Sequence, residues 1–302
     1  MSSYTGIVLL LFALMMISFF LVNVSRIFLY IALASLAGFI VMFFVIGRKQ
    51  KKNEQEVKNI KGDFIRKNYP ELTFDPDNSI SSEEFISLGI EDLPQRTYNF
   101  KSGGLVSGNA NGIPFRASSI RITHRQHHSG NSNDETITDY EGVVAIFNTS
   151  ELSENKIMLM GAPLIVGEKP VEVPAFVRKI GALGMRFKTN TNGLVSKDAE
   201  NLFGKPVTIY SDNMDYAENF LTDSRILQLK GIPFSTIVIK ENQVALSLPD
   251  DVVKIVNEYK TGETKKITFV DYNADVDPEK VCRETEIILD IILSFPEKME
   301  LR

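Results

Sequence analysis

The stretch LVSGNANGIPFRASSIRIT, residues 105–123, decides how the bulk of this chain folds. Asn111-Gly112 stands at its centre, and that pair favours the positive φ angles a two-residue hairpin turn needs. On the second strand Ile113, Phe115 and Ala117 take one face before Ile120 and Ile122 take the other, a phase change that predicts a bulge or local twist. A hairpin here predicts a sheet assembled from antiparallel neighbours.

The chain beyond it keeps the same character. Val143–Phe147 and Lys156–Met160 are apolar runs of buried-strand length, and Gln126–Asp139 between the hairpin and these runs reads as a polar loop. Phe234–Ile239 and Gln243–Leu248 flank Glu241-Asn242, a second hairpin signal, while Leu183–Phe187, Pro206–Ser211 and Lys265–Val270 read as further strands. Helices fall between these groups. Ser81-x-x-Glu84 forms a capping box ahead of Phe85, Ile86 and Leu88, closed by Gly89. Asp215–Lys230 places Phe220, Leu221, Ile226, Leu227 and Leu229 inward and stops at Gly231. A last helix opens with Asp277 as N-cap and Pro278 in the first turn, then carries Val281, Thr285, Ile288, Leu289 and Ile292. The fold class is therefore α+β, a mainly antiparallel sheet-rich domain with a C-terminal helix. A doubly wound parallel sheet would need regular strand–helix alternation, and the chain lacks it.

Upstream the chemistry changes. Gly6–Val22 and Ile27–Ile46 are apolar and uncharged, separated only by Asn23–Arg26. A bilayer core asks for roughly 20 apolar helical residues, so the two stretches read as a transmembrane hairpin. A cleaved signal peptide fits poorly, because Met1–Thr5 carries no charge and Asn23–Arg26 offers no small-residue cleavage pattern. Arg48, Lys49, Lys51 and Lys52 follow the second stretch, against Arg26 alone in the turn. By the positive-inside rule this predicts a two-pass protein of the cell membrane with its large C-terminal domain cytoplasmic. The expected organisation is a hairpin over 1–47, a basic juxtamembrane linker over 48–75 with a short helix across Glu54–Tyr69, and an α+β domain over 76–302. If that domain divides, Pro163–Pro174 is the seam.

The formal net charge is −5, yet no acidic residue precedes Glu54, so the acid excess belongs to the soluble part. An acidic domain of this kind is a poor nucleic-acid binder, since phosphate affinity rests on Lys and Arg. The basic cluster suits an anionic bilayer surface, at about 1 kcal/mol per basic residue. Cys282 is the lone cysteine, which rules out an internal disulfide and suits a reducing compartment. The expected partners are the lipid bilayer and a membrane or peripheral protein, with self-association left open.

Catalytic chemistry is sparsely marked. His124, His127 and His128 sit close together, but His124 and His128 meet only on a helix, and Asp134 and Glu135 are the acids nearby. Asp212 and Asp215 follow a strand, where metal-dependent phosphoryl chemistry often sits, although Asp215 serves equally as a helix N-cap. The glycines of Gly103–Gly108 lack the Lys-Ser/Thr of a phosphate loop and read as turn glycines. No cofactor and no catalytic set are expected. The leading expectation is a membrane-anchored interaction or scaffold protein. The alternatives are a metal-dependent hydrolase using Asp212, Asp215 and His124, and an anionic-lipid sensor using Arg48, Lys49, Lys51 and Lys52.

One resemblance supports the topology. Phe85-x-x-Leu88, a glycine-bearing hairpin into Phe115-Arg116, the histidine-rich loop and Tyr140-Glu141-Gly142-Val143-Val144 follow one another in an order that resembles an uncharacterised bacterial family. Val207–Asp212, Ala217-Glu218, Leu221-Thr222, Ser235-Thr236-Ile237 and Val244-Ala245-Leu246 extend it over roughly residues 55–260. That family is known as a domain of unknown function carrying one or two N-terminal transmembrane helices. The resemblance implies a membrane-anchored α+β domain and brings no catalytic residues with it.

Overall fold

The computed structural model of the chain describes residues 10, 12–17, 26–90, 98–126, 135–150, 155–161, 194–203, 207–249 and 276–301. Backbone proximity divides it into two units, Met1–Ile60 with Thr268–Val281, and Lys61–Ile267 with Cys282–Arg302.

The first unit is helical at residues 12–17 and contains most of α1 (Arg26–Asn68), a helix of 43 residues. Among the described residues, α1 is the one helix long and apolar enough to cross a membrane. Leu33, Ile40, Val41 and Phe44 lie exposed along it, as lipid-facing positions would. The boundary expected at residue 47 falls inside α1, and the separate helix expected over Glu54–Tyr69 is its continuation. Lys, Gln, Glu and Arg are strong helix formers, and no proline lies between Ile46 and Asn68 to stop the run. Of the expected hairpin's first arm, Gly6–Val22, only residues 10 and 12–17 are described, and Asn23–Ser25 of its turn lie outside the described residues.

The second unit is built on one nine-stranded sheet. Its strands are β1 (Thr73–Asp75), β2 (Tyr98–Ala110), β3 (Ile113–Gln126), β4 (Glu135–Asn148), β5 (Ile157–Gly161), β6 (Val195–Asp198), β7 (Val207–Ser211), β8 (Thr236–Lys240) and β9 (Gln243–Pro249). They lie in the order β1-β2-β3-β4-β9-β8-β5-β7-β6, antiparallel at every step. The α+β class with a large antiparallel sheet and a C-terminal helix is thus the observed one. β5 and β6 join the same sheet although the Pro163–Pro174 seam separates them in sequence; that segment, Leu183–Phe187 and Lys265–Val270 lie outside the described residues.

Alternation along β4 shows how the sheet buries both faces. Val143, Ala145 and Phe147 enter a core that also holds Ile209, Ile237, Leu246, Leu289, Ile292 and Phe295. Val144 and Ile146 point the other way, into a core with Ile80, Phe85, Ile120, Ile122 and Val238. Residues of α6 (Pro278–Lys298) therefore pack on the first face, beside the short helices α3 (Glu200–Phe203), α4 (Met214–Phe220) and α5 (Asp223–Lys230), while α2 (Ser82–Leu88) packs on the second. Ser81 caps α2 through Glu84 N at 3.1 Å, and Gly89 ends it at φ 68. Glu84 does not complete the capping box but pairs with Arg116 on β3.

Two sequence expectations are corrected here. The helix expected over Asp215–Lys230 is two helices, broken at Leu221-Thr222, because Thr222 turns to cap α5 through Arg225 N at 3.3 Å. The polar loop expected over Gln126–Asp139 gives up both its ends to strands, Gln126 to β3 and Glu135–Asp139 to β4, while residues 127–134 lie outside the described residues. Asn111 and Gly112 take positive φ as expected, and in the second hairpin Glu241 does so.

Candidate functional site

Two irregularities in the β2-β3-β4 ladder shape the places where chemistry is held. The first lies in β2. Ser102 pairs with Ile120 and Leu105 with Ser118, so Gly103 and Gly104 together oppose Ser119. The glycines expected to form turns form a β-bulge instead, with Gly104 at φ +93. A Cβ on Gly104 would sit 2.8 Å from the Phe74 ring, so the ring lies directly on the bulge.

Beside this bulge is a small cleft of about 50 Å³. Ile65, Phe74, Val106, Ala117, Ile288 and Ile292 give it apolar walls, and Lys61, Ser119 and Thr285 bring polar groups to it. Lys61 is the cation of this cleft, and burial pushes its ammonium below the usual lysine range, with the field of Glu284 opposing. Every residue lining the cleft belongs to the second unit.

The second irregularity joins β3 to β4. Ile122 pairs with Tyr140 and Thr123 with Thr138, leaving Asp139 as an extra residue. In an unbroken ladder Asp139 would stand opposite Thr123 and point away from His124. The bulge re-aims it. Its carboxylate oxygens lie 2.8 and 2.7 Å from His124 Nδ1, with the two side chains only 12% and 17% exposed. A carboxylate on Nδ1 fixes ring orientation and presents Nε2 outward, the arrangement used for metal ligation and proton transfer.

The other candidates divide differently. His124 lies on β3, so the helical geometry that would unite it with His128 does not exist, and His128 itself lies outside the described residues. Both carboxylate oxygens of Asp212 accept from Lys156 N, each at 3.0 Å, which ties the strand β5 to the end of β7. Burial lowers the Lys156 pKa, reinforced by Lys240 and opposed by Asp212. Asp215 is not the N-cap of its helix. Asn213 fills that role by accepting from Tyr216 N, and Asp215 occupies the exposed first turn. Among the described residues no three His, Cys, Asp or Glu side chains gather to hold a metal ion. Arg48, Lys49, Lys51 and Lys52 all lie on α1, immediately after its apolar part.

Sequence reasoning named His124 but missed Asp139 and Lys61. Asp139 is invisible without the strand register, because an unbroken alternation assigns it to the wrong face. Lys61 reads as one of several basic residues on a helix, and only the packing of α6 and β2 about it sets it apart.

No family model matches the chain, and no curated protein matches it. Among solved structures, that of the mycobacterial trehalose monomycolate transport factor A is similar at 9% identity and a TM-score of 0.34, over 77% of this chain and 94% of its own. At that level the likeness supports no statement about fold or activity.

Proposed function

We propose that this chain is a membrane-anchored interaction protein, held by two N-terminal passes, whose α+β domain faces the cytoplasm and engages a membrane or peripheral protein. The observation that carries the reading is α1, whose exposed apolar portion has spanning length and runs directly into the basic cluster at Arg48–Lys52. Basic residues at that end favour retention on the cytoplasmic side and suit an anionic leaflet. The uncharged stretch Gly6–Val22 supplies the other pass in this reading, as the resemblance to membrane-anchored domains implies.

Topology is tested with single cysteines in a Cys282→Ser background, one replacing Asn23 and one replacing the exposed Glu241. A membrane-impermeant maleimide applied to intact cells should label the first position and spare the second. Labelling of the Glu241 position in intact cells would place the domain outside and end the cytoplasmic reading. In-cell crosslinking of the full chain then tests the interaction role: one reproducible membrane or peripheral partner is expected, and recovery of self-crosslinks alone counts against it.

A second reading rests on the His124–Asp139 pair, which is built as a metal-binding or proton-transferring histidine would be. Here the hydrolase expected from Asp212, Asp215 and His124 would draw on Asp139 rather than on Asp212 and Asp215. Zn²⁺ or Mn²⁺ that binds the folded chain raises its melting temperature. A shift lost in His124→Asn would favour this reading, and no shift in the native chain removes it.

A further inference from the structure

We infer that the cleft beside the β2 bulge is a binding site for a small monocarboxylate, with the Lys61 ammonium as its counter-charge. Three features of the molecule lead there, independently of the anchoring role proposed above. The first is shape. A bulge of two glycines, Gly103 and Gly104, leaves the strand without side chains where the cleft opens. About 50 Å³ exceeds what one water requires, and it suits a chain of a few carbons.

The second feature is composition. The walls named above are aliphatic or aromatic, so the site favours an apolar body and penalises a second charge on the ligand. A dicarboxylate would have to bury its far end against Val106, Ala117 or Ile292. An acid with one charged end and a short hydrocarbon tail meets the walls and the cation together.

The third is the cation itself. Among the described residues no carboxylate lies within ion-pair distance of Lys61, and Glu284 reaches it through its field without lining the cleft. A partly buried ammonium beside apolar walls gains more from a carboxylate than a fully solvated one does, because the pair forms at lower dielectric. Ser119 and Thr285 line the same cleft. The occupant that answers all three is a two- to four-carbon monocarboxylic acid in its anionic form.

The test uses the full-length chain in detergent micelles, titrated with butyrate, 1-butanol and succinate and followed by calorimetry. Butyrate is expected to bind, with butanol and succinate at least about tenfold weaker, a difference of about 1.4 kcal/mol. Lys61→Met should reduce butyrate affinity by about tenfold or more. No butyrate binding to the native chain, or equal binding by a folded Lys61→Met variant, overturns the inference. A second readout needs no variant. Acetylation of the native chain with an amine-reactive ester, mapped by mass spectrometry, should slow at Lys61 when butyrate is present and not when butanol is. Unchanged Lys61 labelling under saturating butyrate would also overturn it.

Discussion

Two ionisable side chains of the second unit have environments that link stability to alkaline pH in opposite senses. Lys61 has its pKa lowered in the folded state, chiefly by burial. Its ammonium therefore costs stability at neutral pH, and stability should recover as pH rises through the folded value toward the ordinary lysine value of 10.5. Lys61→Met should flatten that rise in a series of melting curves. Tyr69 behaves in reverse. Desolvation, joined by Asp290, Glu286 and Glu71, pushes its phenol up to about 12, and its hydroxyl stands 3.4 Å from Asp290 Oδ1. The folded chain holds this proton after the unfolded chain has lost it, so stability should fall between pH 10 and 12. Tyr69→Phe should remove the Tyr69 share of that fall in the same measurement. A steric constraint is felt at Gly142, where a Cβ would lie 2.3 Å from the Leu248 carbonyl oxygen. That contact is backbone across the β4–β9 ladder and has no side chain to swing aside. Gly142→Ala should cost about 3 kcal/mol in denaturant unfolding, at the upper end of ordinary overpacking.

At the scale of elements, the break between α4 and α5 shows how one hydroxyl overrides a helical pattern. Phe220, Leu221, Ile226 and Leu229 fit one continuous helix, yet Thr222 takes extended backbone, at ψ 157, and caps the second segment. Thr222→Ala should destabilise the chain by about 1 kcal/mol, read as a lowered melting temperature. Arg225 then uses the break. It donates to Phe220 O at 2.6 Å and to Met299 O at 3.0 Å, which ties the end of α4 to the chain beyond α6. Its guanidinium also lies over the Phe220 ring at 4.2 Å. The two bulges play a comparable part in the sheet. One clears space for the Lys61 cleft, and the other turns Asp139 to His124. Neither bulge was expected at its observed position. The phase change read in Ala117–Ile120 is not a bulge of β3, which alternates evenly there and buries Ile113, Phe115 and Ala117 on one face and Ile120 and Ile122 on the other; the bulge lies opposite, at Gly103-Gly104 of β2.

For the whole molecule, the two units present different surfaces. The apolar portion of α1 exposes its large side chains, whereas the sheet buries aliphatic residues on both faces. The full chain should therefore remain with membranes through alkaline carbonate extraction, while a chain beginning at Glu54 should move to the supernatant. Membrane retention of that shorter chain would show that the domain itself binds lipid, and the anchor would lose its assigned role.

Much of the fold was legible in local sequence. Asn111-Gly112 specifies a tight turn because few residues tolerate its angles, and Asp277-Pro278 starts a helix because its first N–H groups need an acceptor or none at all. Those preferences act within a few residues, so they are written in the local sequence. The apolar stretches near the N-terminus follow likewise from composition. What the tertiary structure alone decided is which distant groups meet: Asp139 with His124, Asp212 with the Lys156 amide, and Lys61 with the walls of its cleft. Each depends on strand register or on packing across more than ten residues of sequence. A one-residue slip of a strand sends a side chain to the other face, and the sequence near that residue carries no mark of it.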